Sequence, residues 1–235
     1  MCGRYVTASS PALLAERFEA VEVRVPDVEP NYNVTPRTKV PVVAVREERR
    51  VLDLVRWGLV PSWAKDLSIG DRMINARAET VATKPAYKRA FAKRRCILPV
   101  DGFYEWRKLA DRKQKQPYFI FGRDREPLAF AGLWEVWRDP DDEAAEKLRT
   151  CLLITTTANE RMRPVHDRMP VILPEARWTE WLDPDNHDTE RLAQLLVPAP
   201  DDLLDMYPVS TAVNRPANNS SDLIARVPDE ETLLG

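Results

Sequence analysis

Glycine is scarce in this 235-residue sequence, seven residues against twenty prolines. So few glycines leave no Gly-rich loop to cradle a phosphate, and so many prolines imply stiffened, irregular connections. The cysteines are only Cys2, Cys96 and Cys151. An odd number at wide spacing argues against a disulfide framework. Two histidines, His166 and His187, with no CxxC or HxxxH pair, speak against a structural zinc site; no metal and no other cofactor is expected. No apolar run approaches the roughly 20 residues of a membrane helix. The start lacks the basic-then-apolar pattern of a secretory signal, so the reading places the protein in the cytoplasm, away from any membrane.

What is present is a globular composition, 44% hydrophobic and 31% charged, with a net charge of only −2. The charge is unevenly spread. From Asp71 to Lys115 there are thirteen basic residues against five acidic ones, an excess of eight, while acids gather at Asp139–Glu146, Asp183–Glu190 and the last 35 residues. That asymmetry points to a basic face for an anionic partner, although a solvated basic helix at Lys84–Arg95 accounts for part of it.

Ser10-Pro11 starts a helix that is expected to run to about Ala20. Val40–Val45 and Arg50–Val60 read as a hairpin, Cys96–Trp106 as a strand with an internal Asp-Gly turn, and Pro117–Phe121, Leu128–Trp137 and Arg149–Thr157 as three more strands. Pro174–Leu182 and Asp188–Leu196 read as short helices, and Leu204–Asn214 holds a last strand. Strands dominate without βαβ regularity. The expected fold is α+β, one domain over residues 1–235, built on a mostly antiparallel, barrel-like sheet with flanking helices.

Several residues carry chemistry. If Met1 is removed, Cys2 presents an α-amine and a thiol on adjacent carbons. An α-amine has a reference pKa of about 7.7–8.0 against about 10.4 for lysine, so much more of it is neutral at pH 7. A neutral amine condenses with an aldehyde to a Schiff base, and the thiol can then close a thiazolidine ring. Alone, Cys2 is simply the second residue of a fraying terminus. Asn75, Arg77 and Glu79 share one face if Met73–Glu79 is extended. Glu105, between Tyr104 and Trp106, has the apolar setting that keeps a carboxyl protonated, but a solvated Glu on a strand edge is the simpler alternative. His166 stands in a tight Pro-bounded segment beside Asp167 and Arg168, whereas His187 reads as a surface turn. Trp57 reads as core and Trp63, beside Pro61, Ser62 and Lys65, as exposed.

Taken together these segments resemble the SRAP family (SOS-response-associated peptidase), the abasic-site sensors. The matching stretches are Met-Cys-Gly-Arg-Tyr at 1–5, Tyr-Asn-Val-Thr-Pro at 32–36, Trp-Gly-Leu-Val-Pro-Ser-Trp at 57–63 and Ile-Asn-Ala-Arg-Ala-Glu-Thr at 74–80. They continue as Asp-Gly-Phe-Tyr-Glu-Trp at 101–106, Ile-Thr-Thr-Thr-Ala at 154–158 and Val-His-Asp-Arg-Met-Pro at 165–170. The resemblance implies a covalent trap for abasic sites in single-stranded DNA, with a mature chain starting at Cys2. It assigns the crosslinking nucleophile to Cys2 and the rest of the catalytic site to Asn75, Glu105 and His166. It implies that Arg4, Arg77 and Arg168 hold phosphates, that Trp63 and Asn33 line the DNA path, and that Thr155 belongs with these DNA-binding residues. Some relatives carry a second Trp after the one matching Trp63; here that place is Ala64, so a two-Trp wedge is not available. A monomer acting on DNA is expected, with AP-lyase activity accompanying the crosslink. Two alternatives remain: a thiol peptidase with Cys2 as nucleophile and His166 as base, acting on its own N-terminus or in trans, and a non-covalent single-strand binder.

Overall fold

The structure is a computed structural model that describes residues 2–27, 29–109, 115–142 and 144–228. Among these residues thirteen strands follow one another: β1 Tyr5–Thr7, β2 Glu22–Val23, β3 Asn31–Val34, β4 Lys39–Arg46, β5 Arg49–Trp57, β6 Asn75–Arg77, β7 Arg95–Val100, β8 Gly102–Arg107, β9 Gln116–Gly122, β10 Leu128–Trp137, β11 Leu148–Thr157, β12 Arg168–Pro170 and β13 Leu204–Pro208. Five short helices interrupt them: α1 Pro11–Arg17, α2 Ala78–Val81, α3 Lys88–Lys93, α4 Trp178–Leu182 and α5 Thr189–Ala193. Arrangement and class are those expected from the sequence, an α+β fold on a largely antiparallel sheet.

The larger sheet runs β12-β11-β10-β7-β4-β5-β2. Its strand β5 turns back onto β11 in parallel, pairing Arg56 with Thr150 and Trp57 with Cys151, so that β4, β5, β7, β10 and β11 close into a five-stranded barrel. Closure removes sheet edges that would otherwise remain unpaired. The second sheet, β13-β9-β8-β1-β3, is antiparallel throughout.

Period-two alternation divides the core. Cys96, Leu98 and Val100 of β7 join Trp57, Phe130, Cys151 and Leu153 in a cluster with Tyr5, Phe103 and Ile120 of the second sheet. Ile97 of β7, Leu152 and Ile154 point the other way, into a layer covered by Phe18, Phe91, Trp178 and Trp181 from the helices. Both internal cysteines are fully buried, the usual fate of a free thiol.

Four elements differ from the sequence reading. The helix expected over Lys84–Arg95 is only Lys88–Lys93, preceded by a turn in which the N–H groups of Tyr87 and Lys88 both donate to the Lys84 carbonyl. Cys96–Trp106 turns at Asp101-Gly102 as expected, but the two halves are strands of different sheets, and the Asp101 carboxylate accepts the N–H groups of Ala8 and Ser9. The last strand stops at Pro208, and Thr211–Asn214 is a 3-10 turn. Glu79 does not continue the strand of Asn75 and Arg77, because α2 begins at Ala78. The β4–β5 turn is also unusual. Glu47 and Glu48 both have positive φ, 48° and 62°, at positions where Asn-Gly is the usual choice.

Candidate active site

The site forms at the C-terminal end of β11, where one edge passes from β5 to β6 and the other from β10 to β12. Asn75 pairs with Leu153 and Arg77 with Thr155 on one side; Arg168 pairs with Thr157 on the other. Ala76 is buried between Asn75 and Arg77, so those two side chains share the opposite face, as the alternation predicts.

The beginning of the chain enters this place. Cys2 is 1% exposed, and its carbonyl accepts a hydrogen bond of 2.9 Å from Nδ2 of Asn75. The other amide atom, Asn75 Oδ1, is buried and has no hydrogen-bond partner among the described residues. Burial pushes the Cys2 thiol well above the ordinary thiol range, and the charge of Glu105 adds to that push.

Glu105 lies on β8, between β1 and β9 in the middle of the second sheet, and is 2% exposed. The solvated-edge alternative is therefore corrected: the strand is internal. Burial raises its carboxyl above the usual range, against the opposing pull of His166. His166 Nε2 stands 3.9 Å from Glu105 Oε2. On the other side of the ring, the Arg168 N–H donates to Nδ1 at 2.9 Å. This fixed donor holds Nδ1 as an acceptor and leaves the ring proton on Nε2, facing Glu105. The exposed carboxylate of Asp167 lies 3.0 Å from Nδ1.

The segment bearing His166 is a closed loop. Ala158 N–H donates to Asp167 O at 2.9 Å, and His166 N–H to Met162 O at 3.0 Å. Buried Asn159 anchors it, accepting from Met162 N–H and donating to Ala199 O, both at 2.9 Å. Sequence reasoning passed over Asn159; a capping Asn just before Glu160-Arg161-Met162 was the available signal.

The arginines are placed differently from one another. Arg77 is exposed. Arg4 is partly buried and donates from Nη1 to Asn33 Oδ1 at 2.8 Å and to Val213 O at 2.7 Å. Arg168 forms a two-pronged pair with Glu79, 2.5 and 3.0 Å, and donates to Thr155 O at 2.7 Å.

Two of the expected DNA-lining residues are inside the protein. Asn33 is 3% exposed, and its amide donates to the carbonyls of Val213, Arg215 and Asn218. Thr155 is fully buried, with its hydroxyl directed to Ala76 O at 3.3 Å. Both hold neighbouring arginines in place rather than presenting a surface. Trp63, in contrast, is 63% exposed. Ala64, the residue that replaces a second Trp, is buried, and its carbonyl accepts from Trp137 Nε1.

The basic run is less of a face than its count suggested. Arg95 is buried and donates to the carbonyls of Phe91, Ala92, Trp181, Asp183 and Asn186, and burial lowers its pKa to about 10. Arg94 pairs with Glu135. Asp111, Arg112 and Lys113 lie outside the described residues. Lys84, Lys88, Arg89 and Lys93 remain exposed. Among the described residues no group of His, Cys, Asp and Glu is placed to hold a metal ion, and no helix is long and apolar enough to cross a membrane.

Fold and site define a class of α+β proteins in which residue 2 is buried against strands from much later in the chain. Comparison with known proteins gives that class its name. The family described as SOS response associated peptidase (SRAP) matches residues 1–216, and the chain belongs to it. It is 43% identical over 226 residues to the abasic site processing protein YoqW of Bacillus subtilis, covering 95% of this chain and 99% of the relative. It is 35% identical over 234 residues to the abasic site processing protein YedK of Escherichia coli, covering 97% and 100%. The crystal structure of a protein from Bacteroides thetaiotaomicron superimposes with a TM-score of 0.84 at 25% identity, covering 97% of this chain and all of that one.

Proposed function

We propose that this chain processes abasic sites in single-stranded DNA by covalent capture through Cys2, as a monomeric, single-domain protein whose working form begins at Cys2. The single observation that carries the reading is the hydrogen bond from Asn75 to the Cys2 carbonyl, which holds the start of the chain against β6, where Glu105 is close enough to act on the Cys2 thiol. The names of the relatives, abasic site processing proteins, support the choice of lesion.

The chemistry follows from the residues. The abasic sugar is mainly a closed hemiacetal. Protonated Glu105 donates to the ring oxygen as the C1′–O bond breaks and the C1′ hydroxyl gives up its proton to water, leaving the open aldehyde, and His166 hydrogen-bonds the released 4′-hydroxyl. The Cys2 amine adds to C1′, and the carbinolamine loses water to give the imine. The thiol then adds to the imine carbon and its proton passes to nitrogen, closing the thiazolidine. Asn75 holds the Cys2 carbonyl with Nδ2, leaving Oδ1 to accept from the amine. A complex that stops at the imine is open to β-elimination and strand cleavage, the source of the lyase activity. Exposed Arg77 and rim-lying Arg4 and Arg168 supply phosphate contacts that weaken with salt. Trp63 stacks on a base.

A thiol peptidase fits less well. Such an enzyme needs a thiolate, and burial pushes the Cys2 thiol well above the ordinary thiol range. Here the amine attacks first and the thiol follows on an already electrophilic carbon.

The test uses an abasic single-stranded oligonucleotide. Wild type is expected to give a heat-stable adduct, absent with undamaged DNA. Cys2→Ala keeps an α-amine, so it should give an adduct only after borohydride reduction. A heat-stable adduct from Cys2→Ala without borohydride would overturn the proposal.

A further inference from the structure

The pairing of Glu79 with Arg168 leads beyond the crosslinking residues. Nη1 of Arg168 meets Oε1 of Glu79 at 2.5 Å and Nη2 meets Oε2 at 3.0 Å, two parallel bonds from one fork to one carboxylate. A phosphate presents two oxygens to a guanidinium in the same way. In the absence of DNA, therefore, a protein carboxylate already occupies the fork that a phosphate would use. Glu79 stays ionised there: its bond to Arg168 lowers its carboxyl pKa, and Arg168 and Arg77 add to that as nearby charges.

The two partners are anchored unequally. Arg168 is 14% exposed, and Nη2 also donates to Thr155 O at 2.7 Å, so it keeps its place if the carboxylate leaves. Glu79 is 48% exposed, in the first turn of the four-residue helix α2, and can swing to solvent. Arg168 also holds the His166 ring through its backbone N–H, so the residue that bears the fork also positions the imidazole.

We propose that Glu79 is a specificity residue, a carboxylate stand-in for phosphate that must be displaced from Arg168 before a strand can seat. This rests on the proposed reading of the pocket as a DNA site. An undamaged strand offsets the displacement only with the phosphate it brings and is released. A strand with an abasic sugar offsets it through capture by Cys2. Glu79 thereby keeps the protein from accumulating on intact single strands.

The experiment measures the affinity of an undamaged, mixed-sequence single-stranded oligonucleotide over a salt series, for wild type, Glu79→Gln, Glu79→Ala, Arg168→Gln and the Glu79→Gln/Arg168→Gln double variant. Both Glu79 variants are expected to bind about three- to ten-fold more tightly, with log K against log salt steeper by about 0.7, the slope of one further phosphate contact on a single strand. In the Arg168→Gln background the effect of Glu79→Gln should vanish. Unchanged or weaker binding by the Glu79 variants overturns the proposal. So does a gain that persists without Arg168, which would mean that Glu79 acts only as a general negative charge. The wild-type adduct with an abasic strand, read in parallel, tests the underlying reading separately, because the comparison on undamaged DNA involves no covalent step.

Discussion

Nδ2 of Asn75 donates to the carbonyl of Cys2 at 2.9 Å, joining residues 73 positions apart in sequence. The bond fixes the backbone of a residue that would otherwise fray, and thereby the direction from which its amine approaches a substrate. Asn75→Ala is expected to slow adduct formation about 100-fold, the cost of a small misplacement of a reacting group. Affinity for undamaged DNA should hardly change. Initial rates of adduct formation, alongside equilibrium binding, separate the two.

Glu105 makes a prediction with a defined sign. Burial raises its carboxyl pKa in the folded protein above the unfolded value. Stability from the protonated form is thus fully present below the unfolded pKa and is lost as pH rises through the folded one. Glu105→Gln cannot ionise, so its melting temperature should exceed that of wild type by a few degrees at pH 8, and the gain should shrink towards acid pH. Adduct formation should show the opposite balance, with a rate lower by about 100-fold or more and without the decline at high pH that deprotonation of Glu105 gives wild type. Thermal melts and rate–pH profiles of both proteins check the two signs.

Asn33 and Trp63 should behave as opposites. Asn33→Ala leaves three backbone carbonyls and Arg4 short of a partner, and is expected to cost about 1–3 kcal/mol of stability, read as a lower melting temperature. Trp63→Ala removes an exposed ring, should leave the melt nearly unchanged, and should weaken single-strand binding by about 1–3 kcal/mol.

Those contrasts show how far the sequence could be read. Asn75 and Arg77 were legible because a two-residue period on one strand places them together whatever surrounds it. Glu79 lay beyond that reach, since the strand ends one residue earlier and the carboxylate reaches Arg168 from a helical turn. The burial of Glu105 depends on β1 and β9 flanking β8, a long-range pairing that no local pattern displays. Asn33 and Thr155 were legible as parts of motifs, but spacing does not say whether a polar group faces a ligand or a neighbouring backbone. Arg94 and Arg95 counted towards a basic face until the fold directed one to Glu135 and the other to five carbonyls.

The central claim is that a free aminothiol at residue 2 is the group that captures the lesion. Intact mass spectrometry tests it most directly, on the protein incubated with an abasic single-stranded oligonucleotide, with and without extra residues left upstream of Cys2. The account predicts that the untagged chain lacks Met1 and gains one oligonucleotide less one water, and that the extended chain gains nothing. An extended chain that forms the same adduct in the same yield would contradict it.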